Sequence, residues 1–167
     1  MAELKIRRRH RLRQKEIQSL FSTIETTMGT KTVSDKATVD RAEAPDFDVL
    51  FVDNSLLAIV IKGEPFLTVR GVLKYGAAKR HVTVDMGAVK FVANGADVMG
   101  PGIVDVDDSI SEGDLVWVRD ERNLRPLAIG RAAMPGLEMR TKPKGKSVLS
   151  IHHVGDRLWM TEEEGQR

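Results

Sequence analysis

Ile17, Leu20, Phe21, Ile24 and Met28 recur at three- and four-residue intervals up to Gly29, the spacing of an amphipathic helix with one buried face. Further on, Val49-Leu50-Phe51-Val52 and the apolar run Leu56 to Ile61 flank Asp53-Asn54-Ser55. Two short apolar runs joined by a turn-forming tripeptide predict a β-hairpin. Gly63-Glu64-Pro65 closes its second strand. Leu4 and Ile6 predict a short first strand and Lys31 to Val39 another, with a loop from Arg41 through Pro45 to Asp48. Phe66 to Tyr75 has mixed apolar spacing and reads as a strand running into a helix. It ends near Gly76-Ala77-Ala78, where a domain boundary is placed.

Beyond that boundary the pattern turns mostly to period two. Val82 and Val84 alternate with polar neighbours as a half-buried strand does. Gly87 and Gly95 bracket Ala88, Val89, Phe91 and Val92, which fit a short helix. Asn94-Gly95 supplies the residue types that tolerate the left-handed conformation at a helix end. Gly100-Pro101-Gly102 then offers little side-chain bulk, so it either turns the chain tightly or lets another molecule approach the backbone. Leu115 to Val118 and Leu127 to Gly130 are strands across the polar turn Asp120-Glu121-Arg122-Asn123, and Val148 to Val154 is another. Closely spaced short strands with one clear helix predict a small barrel. Pro135 to Lys146 lacks apolar periodicity and reads as a long loop; Thr161 to Arg167 is polar and reads as a frayed tail.

A length of 167 residues, with 41% hydrophobic and 30% charged positions, describes a globular chain of one ordinary or two small domains. The hydrophobic pattern favours two. No apolar run approaches the roughly 20 residues of a membrane helix, and no apolar segment follows the basic N-terminus, so a cytoplasmic protein without a membrane is expected. The absence of cysteine excludes disulfides, thiolate catalysis and Cys-ligated zinc in this chain.

The net charge of +2 conceals a strong asymmetry. Lys5, Arg7, Arg8, Arg9, Arg11, Arg13 and Lys15 crowd the first fifteen residues, and Arg140, Lys142, Lys144, Lys146 and Arg157 form a later basic cluster. Between them, Asp97, Asp105, Asp107, Asp108, Glu112 and Asp114 are acidic. Basic segments of this density suit phosphate binding with salt-dependent affinity, although a solvated face produces the same pattern. Trp117 and Trp159 sit in apolar settings and read as packing residues rather than stacking platforms.

Catalytic motifs fail on particular residues. Gly71 to Gly76 has phosphate-loop spacing but continues into Ala77-Ala78, without the required Lys-Ser/Thr. Asp105, Asp107 and Ser109 imitate a calcium loop, yet Ile110 replaces its glycine and Val116 its closing acid. His152 and His153 are neighbours on a strand and point to opposite faces, so they do not chelate one metal. The expectation is a protein without enzymatic activity, metal or cofactor.

From His81 to about Trp159 the chain resembles the PUA domain, first described in pseudouridine synthases and archaeosine transglycosylases. The elements occur in family order: Val84-Asp85-Met86-Gly87-Ala88, Phe91-Val92-Ala93-Asn94-Gly95-Ala96, Pro101-Gly102-Ile103, Gly113-Asp114-Leu115-Val116 and Ala128-Ile129-Gly130. With Leu67-Thr68-Val69-Arg70 in a small domain just before it, the whole chain is similar to the malignant-T-cell-amplified-sequence translation-factor family, whose archaeal members are compact and stand alone. The resemblance implies an α+β protein: a small N-terminal α/β domain (1–76), a C-terminal PUA β-barrel (77–159) and a polar tail (160–167). It implies binding of structured RNA, tRNA or rRNA, in translation, at the small ribosomal subunit and with a translation-factor partner. The family's RNA-facing groove falls here on Gly87, Ala88, Lys90, Asn94, Gly95, Ala96, Asp97, Met99, Pro101 and Gly102. Small residues there let ribose and phosphate approach, Lys90 can neutralise phosphate, and Asn94 can donate and accept hydrogen bonds. Arg140, Lys142, Lys144 and Lys146 are added as cations for the same RNA backbone. Two alternatives stand beside this reading: an accessory factor in RNA modification or ribosome assembly, and a protein-docking module using the hairpin from Val49 to Ile61.

Overall fold

The computed structural model describes residues 3–165. Helix α1 (Gln14–Met28) buries Ile17, Phe21, Ile24 and Met28, the stripe that the spacing defines. Its first turn is closed by Glu16, whose carboxylate accepts from the Arg13 backbone N–H at 3.1 Å. Its last turn ends at Gly29, which sits at φ 63° and donates to the Glu25 carbonyl.

This helix belongs to a unit built on an antiparallel sheet of β1 (Arg7–Arg11), β2 (Val39–Glu43), β3 (Asp48–Val52), β4 (Ser55–Ile61) and β5 (Glu64–Leu67), paired in chain order. The β3–β4 turn places Asp53 and Asn54 at φ 47° and 71°, the two successive left-handed residues that suit the twist of a tight hairpin. Both strands lie inside the sheet and are almost wholly buried, so in the hairpin from Val49 to Ile61 the exposed residues are those of its turn, Asp53 and Asn54. Helix α2 (Val69–Tyr75) follows, capped by Thr68, whose hydroxyl accepts from the Gly71 N–H at 3.1 Å.

Three local expectations are corrected. The first strand begins at Arg7, while Leu4 and Ile6 pack against the core ahead of it. Residues 31–38 are not a strand, because side chains take their backbone groups: Glu25 accepts from the Thr32 N–H at 2.8 Å and Asp53 from the Thr38 N–H at 2.9 Å. The supposed loop from Arg41 begins as β2, which its charged letters disguise. Ala42 is buried, and Arg41 reaches Asp48 across the strands at 2.8 Å.

The second unit contains β6 (His81–Val84), α3 (Met86–Ala93), β7 (Val98–Met99), a 3-10 turn (Gly100–Gly102), β8 (Ile103–Val106), β9 (Leu115–Asp120), β10 (Pro126–Ala132), α4 (Gly136–Met139) and β11 (Lys146–His153). Its strands run in the order β7-β11-β10-β9-β6-β8, with β6 and β9 parallel and the other pairs antiparallel. The end strands β7 and β8 are joined by only three residues, so the sheet must curl until its ends nearly meet, as a barrel does. Val82, Val84, Val116, Val118 and Val148 meet Val92 of α3 in the enclosed core, each worth about 1.5–3 kcal/mol of burial. The span from Pro135 to Lys146 is not all loop, since α4 lies within it and buries Met139.

The division falls between Ala77 and Ala78, and residues 157–165 return to the first unit. The expected polar tail is therefore corrected through Gly165. Helix α5 (Arg157–Gly165) packs on β4, Leu158 is buried with Val49, Phe51, Leu56 and Ile59, and Trp159 lies 3.7 Å beneath the Arg70 guanidinium. Residues 166–167, also assigned to that tail, lie outside the described residues. Among the described residues, no helix is long and apolar enough to cross a membrane.

Candidate nucleic-acid interface

The second unit carries a groove of about 630 Å³ between α3 and the chain from Ala96 to Gly102. Its geometry begins with Asp85, which caps α3 by accepting from the Ala88 N–H at 2.9 Å and donates its own N–H to the Gly102 carbonyl at 2.9 Å. That one residue ties the start of the helix to the far wall. Ala88, Val89 and Val92 turn toward the core, and the helical period therefore sends Phe91 outward. Phe91 is 61% exposed and lines the groove, as does Met99 at 48%.

The C-terminal end of α3 is held by Gly95, at φ 97°, and by His153 beneath it. A Cβ on Gly95 would lie 2.8 Å from His153 Nε2, while His153 Nδ1 lies 3.1 Å from the Ala93 carbonyl oxygen. Gly100 has an internal role as well. A Cβ there would stand 1.9 Å from the Pro143 carbonyl oxygen, so its lack of a side chain admits the chain's own loop. Gly87 meets only the Asp85 carboxylate at 3.3 Å and leaves the groove floor open.

Asp97 supplies the one strong electrostatic feature of the wall. Its carboxylate accepts from the Ser150 N–H at 2.8 Å and pairs with Lys146 at 2.9 Å. The Ser150 hydrogen bond, and then Lys146, hold its pKa below the ordinary aspartate value. The groove is thus apolar along Ala88, Phe91, Val92, Ala96, Met99 and Pro101, with Asp85 and a neutralised Asp97–Lys146 pair at its rim. Such a surface accepts a flat, weakly polar group better than a bare phosphate.

Of the residues expected from sequence, Gly87, Ala88, Ala96, Asp97, Met99, Pro101, Gly102 and Lys146 converge on this groove. The others do not line it. Lys90 is exposed on the outer side of α3, 6.0 Å from the Phe91 ring; Asn94 and Gly95 form the end of the helix. Arg140 is tied to Asp108, to Asp105 at 3.3 Å and to the Val106 carbonyl at 2.7 Å, so its charge is already matched. Lys142 and Lys144 are exposed in the loop before β11.

Phe91 is not among the binding residues expected from sequence. The signal was present, because once Ala88 and Val92 face inward, Phe91 lies off their stripe. Trp117 is buried and donates from Nε1 to the Lys79 carbonyl at 2.8 Å, which makes it a packing residue.

The PUA domain family matches residues 80–154. An uncharacterized protein of Methanocaldococcus jannaschii is 37% identical over 158 residues, covering 93% of this chain and 98% of its own. Translation machinery-associated protein 20 of Schizosaccharomyces pombe is 38% identical over 98 residues, 56% of this chain and 54% of its own. Malignant T-cell-amplified sequence 2 of Mus musculus is 31% identical over 116 residues, 67% of this chain and 64% of its own. The match thus spans about half to two thirds of these eukaryotic relatives. The crystal structure of a hypothetical protein from Pyrococcus horikoshii superposes with a TM-score of 0.82 at 35% identity, covering 93% of this chain and 99% of that one.

Proposed function

The chain belongs to the PUA-domain proteins related to the malignant-T-cell-amplified-sequence family, and we propose that it binds RNA at the small ribosomal subunit or on tRNA. An RNA-binding role in translation is supported by the domain itself and by relatives named for the translation machinery. The observation that carries RNA binding at this groove is Phe91, 61% exposed at the side of an apolar groove with a neutralised rim. An exposed ring in that setting is a platform for an unpaired base, while the surrounding backbone and lysines meet ribose and phosphate.

In this reading the protein works in the cytoplasm as a binding factor and performs no bond-making step. Asp85 and Asp97 fix the groove walls, and both are committed to structural hydrogen bonds.

The test is equilibrium binding of the purified protein to small ribosomal subunits, with and without excess free tRNA, across a salt series. Subunit binding that survives excess tRNA supports the ribosomal reading, and binding abolished by tRNA selects tRNA. Binding to neither contradicts the proposal. Loss of subunit binding on Lys142→Glu/Lys144→Glu substitution would place the loop before β11 at the contact.

A further inference from the structure

The densest cationic segment of the chain takes no part in the groove. Strand β1 reads Arg-Arg-Arg-His-Arg, with all five residues exposed, and it is an end strand of the first unit's sheet, bonded to β2 on one side only. A free strand edge ordinarily invites another strand to pair with it. Guanidinium groups crowded along that edge oppose such pairing, because an added strand would have to desolvate them. The edge is therefore built against backbone pairing and suits a ligand that brings negative charge.

Its cations fall into two groups. Arg9 and Arg11 share Asp40, at 2.9 and 2.5 Å. Arg9 also donates to Asn54 Oδ1 at 2.8 Å, and its guanidinium lies 3.9 Å over the Phe51 ring. Arg8 reaches Glu43 at 3.3 Å. These contacts hold the strand in shape. Lys5, Arg7, Arg13 and Lys15 are exposed on the same segment, and none of the ion pairs among the described residues involves them. Four unmatched cations within eleven residues form a concentrated positive field, anchored to a rigid strand and to the first turn of α1.

We infer that this edge is a second RNA-contacting surface, in which Lys5, Arg7, Arg13 and Lys15 hold phosphates of the RNA backbone without reading its sequence. The inference rests on the reading of the protein as an RNA binder and adds a contact on its other unit. Arginine matches phosphate with paired donors, whereas lysine contributes a point charge. The contribution of the edge is electrostatic and therefore salt-dependent, unlike a base stacked on Phe91.

The experiment compares wild type with Lys5→Gln/Arg7→Gln/Arg13→Gln/Lys15→Gln, which spares Arg9 and Arg11, and separately with Phe91→Ala. Two probes are titrated across a salt series: small ribosomal subunits, and a hairpin RNA with a single-stranded 3′ extension. Thermal unfolding confirms that each variant is folded, and Arg7→Lys/Arg13→Lys serves as the charge-conserving control. The quadruple variant is expected to lower the slope of log affinity against log salt by roughly two to three, at about 0.7 per lost phosphate contact; the lysine control keeps the slope. Phe91→Ala lowers affinity at every salt concentration with little change in slope. A wild-type slope in the quadruple variant overturns the inference, and the Phe91 effect then still stands for the groove. No binding of wild type to either probe overturns both. If the quadruple variant loses binding of poly-glutamate but keeps its RNA slope, the edge serves an acidic protein and the RNA assignment is overturned.

Discussion

Lys146 Nζ lies 2.9 Å from Asp97 Oδ2, so the lysine that lines the groove carries its own counter-ion. Asp97 reaches it across the β7–β11 pairing, in which Met99 stands opposite Lys146. An Asp97→Asn variant keeps an acceptor for the Ser150 N–H and releases Lys146 to meet phosphate. RNA affinity is expected to rise, with a salt slope steeper by about 0.7, while stability falls by less than about 1 kcal/mol. Titration of RNA across a salt series checks the first, and urea unfolding the second.

The glycines of the site serve different neighbours, and alanine substitutions separate them. Gly100→Ala places a Cβ 1.9 Å from the Pro143 carbonyl oxygen, and Gly95→Ala places one 2.8 Å from His153 at φ 97°. Both lower thermal stability, Gly100→Ala by more, since a backbone carbonyl yields less readily than a side-chain ring. Gly87→Ala meets only the Asp85 carboxylate at 3.3 Å and leaves the melting temperature nearly unchanged, while its methyl group intrudes on the groove and weakens RNA binding.

The C-terminal helix is part of the first unit's core. Leu158→Ala removes a side chain that is 2% exposed among Val49, Phe51, Leu56 and Ile59, and should cost about 2–4 kcal/mol. Hydrogen exchange then reports loosening of the amides of β3 and β4, with those of β9 and β10 unchanged. Equal loosening in both sets would contradict this assignment.

One source of acid sensitivity lies at the β9–β10 turn. Against the desolvation that burial imposes, the Asp120 carboxylate accepts from the N–H groups of Asn123, Arg122 and Arg125 at 2.6, 2.9 and 3.1 Å, and these bonds hold its pKa below the ordinary value. A depressed folded pKa gives stability that is present above the unfolded value of about 4 and is lost as pH falls through the folded one. Asp120→Asn is thus expected to be less stable than wild type at pH 7, with the gap narrowing below about pH 4. A constant difference across that range would contradict the account.

Much of the fold was legible in the chain because local pattern and final packing agree there. Ile17, Phe21, Ile24 and Met28 announce α1, Asp53-Asn54 announces its hairpin, and Val84 through Ile103 carries the family's ordered signature. What escaped depends on distant partners. β1 has no apolar face to display and is a strand only because β2 pairs with it; β2 hides behind Asp40, Arg41 and Glu43. Helix α5 reads as polar tail until Leu158 finds a core supplied by residues about a hundred positions earlier. In the groove, the small residues were visible as a run. The neutralisation of Lys146 by Asp97, and of Arg140 by Asp105 and Asp108, required the fold, because those pairs lie 32 to 49 residues apart in the numbering.

Base binding in the groove is read out by the affinity of Phe91→Ala for the hairpin RNA with a single-stranded 3′ extension, measured beside its thermal stability. With the ring 61% exposed, the account predicts an unchanged melting temperature and an affinity lower by roughly 5- to 150-fold, the loss of one stacked base at about 1–3 kcal/mol. Wild-type affinity in a folded Phe91→Ala protein would contradict the groove as the site where a base is bound.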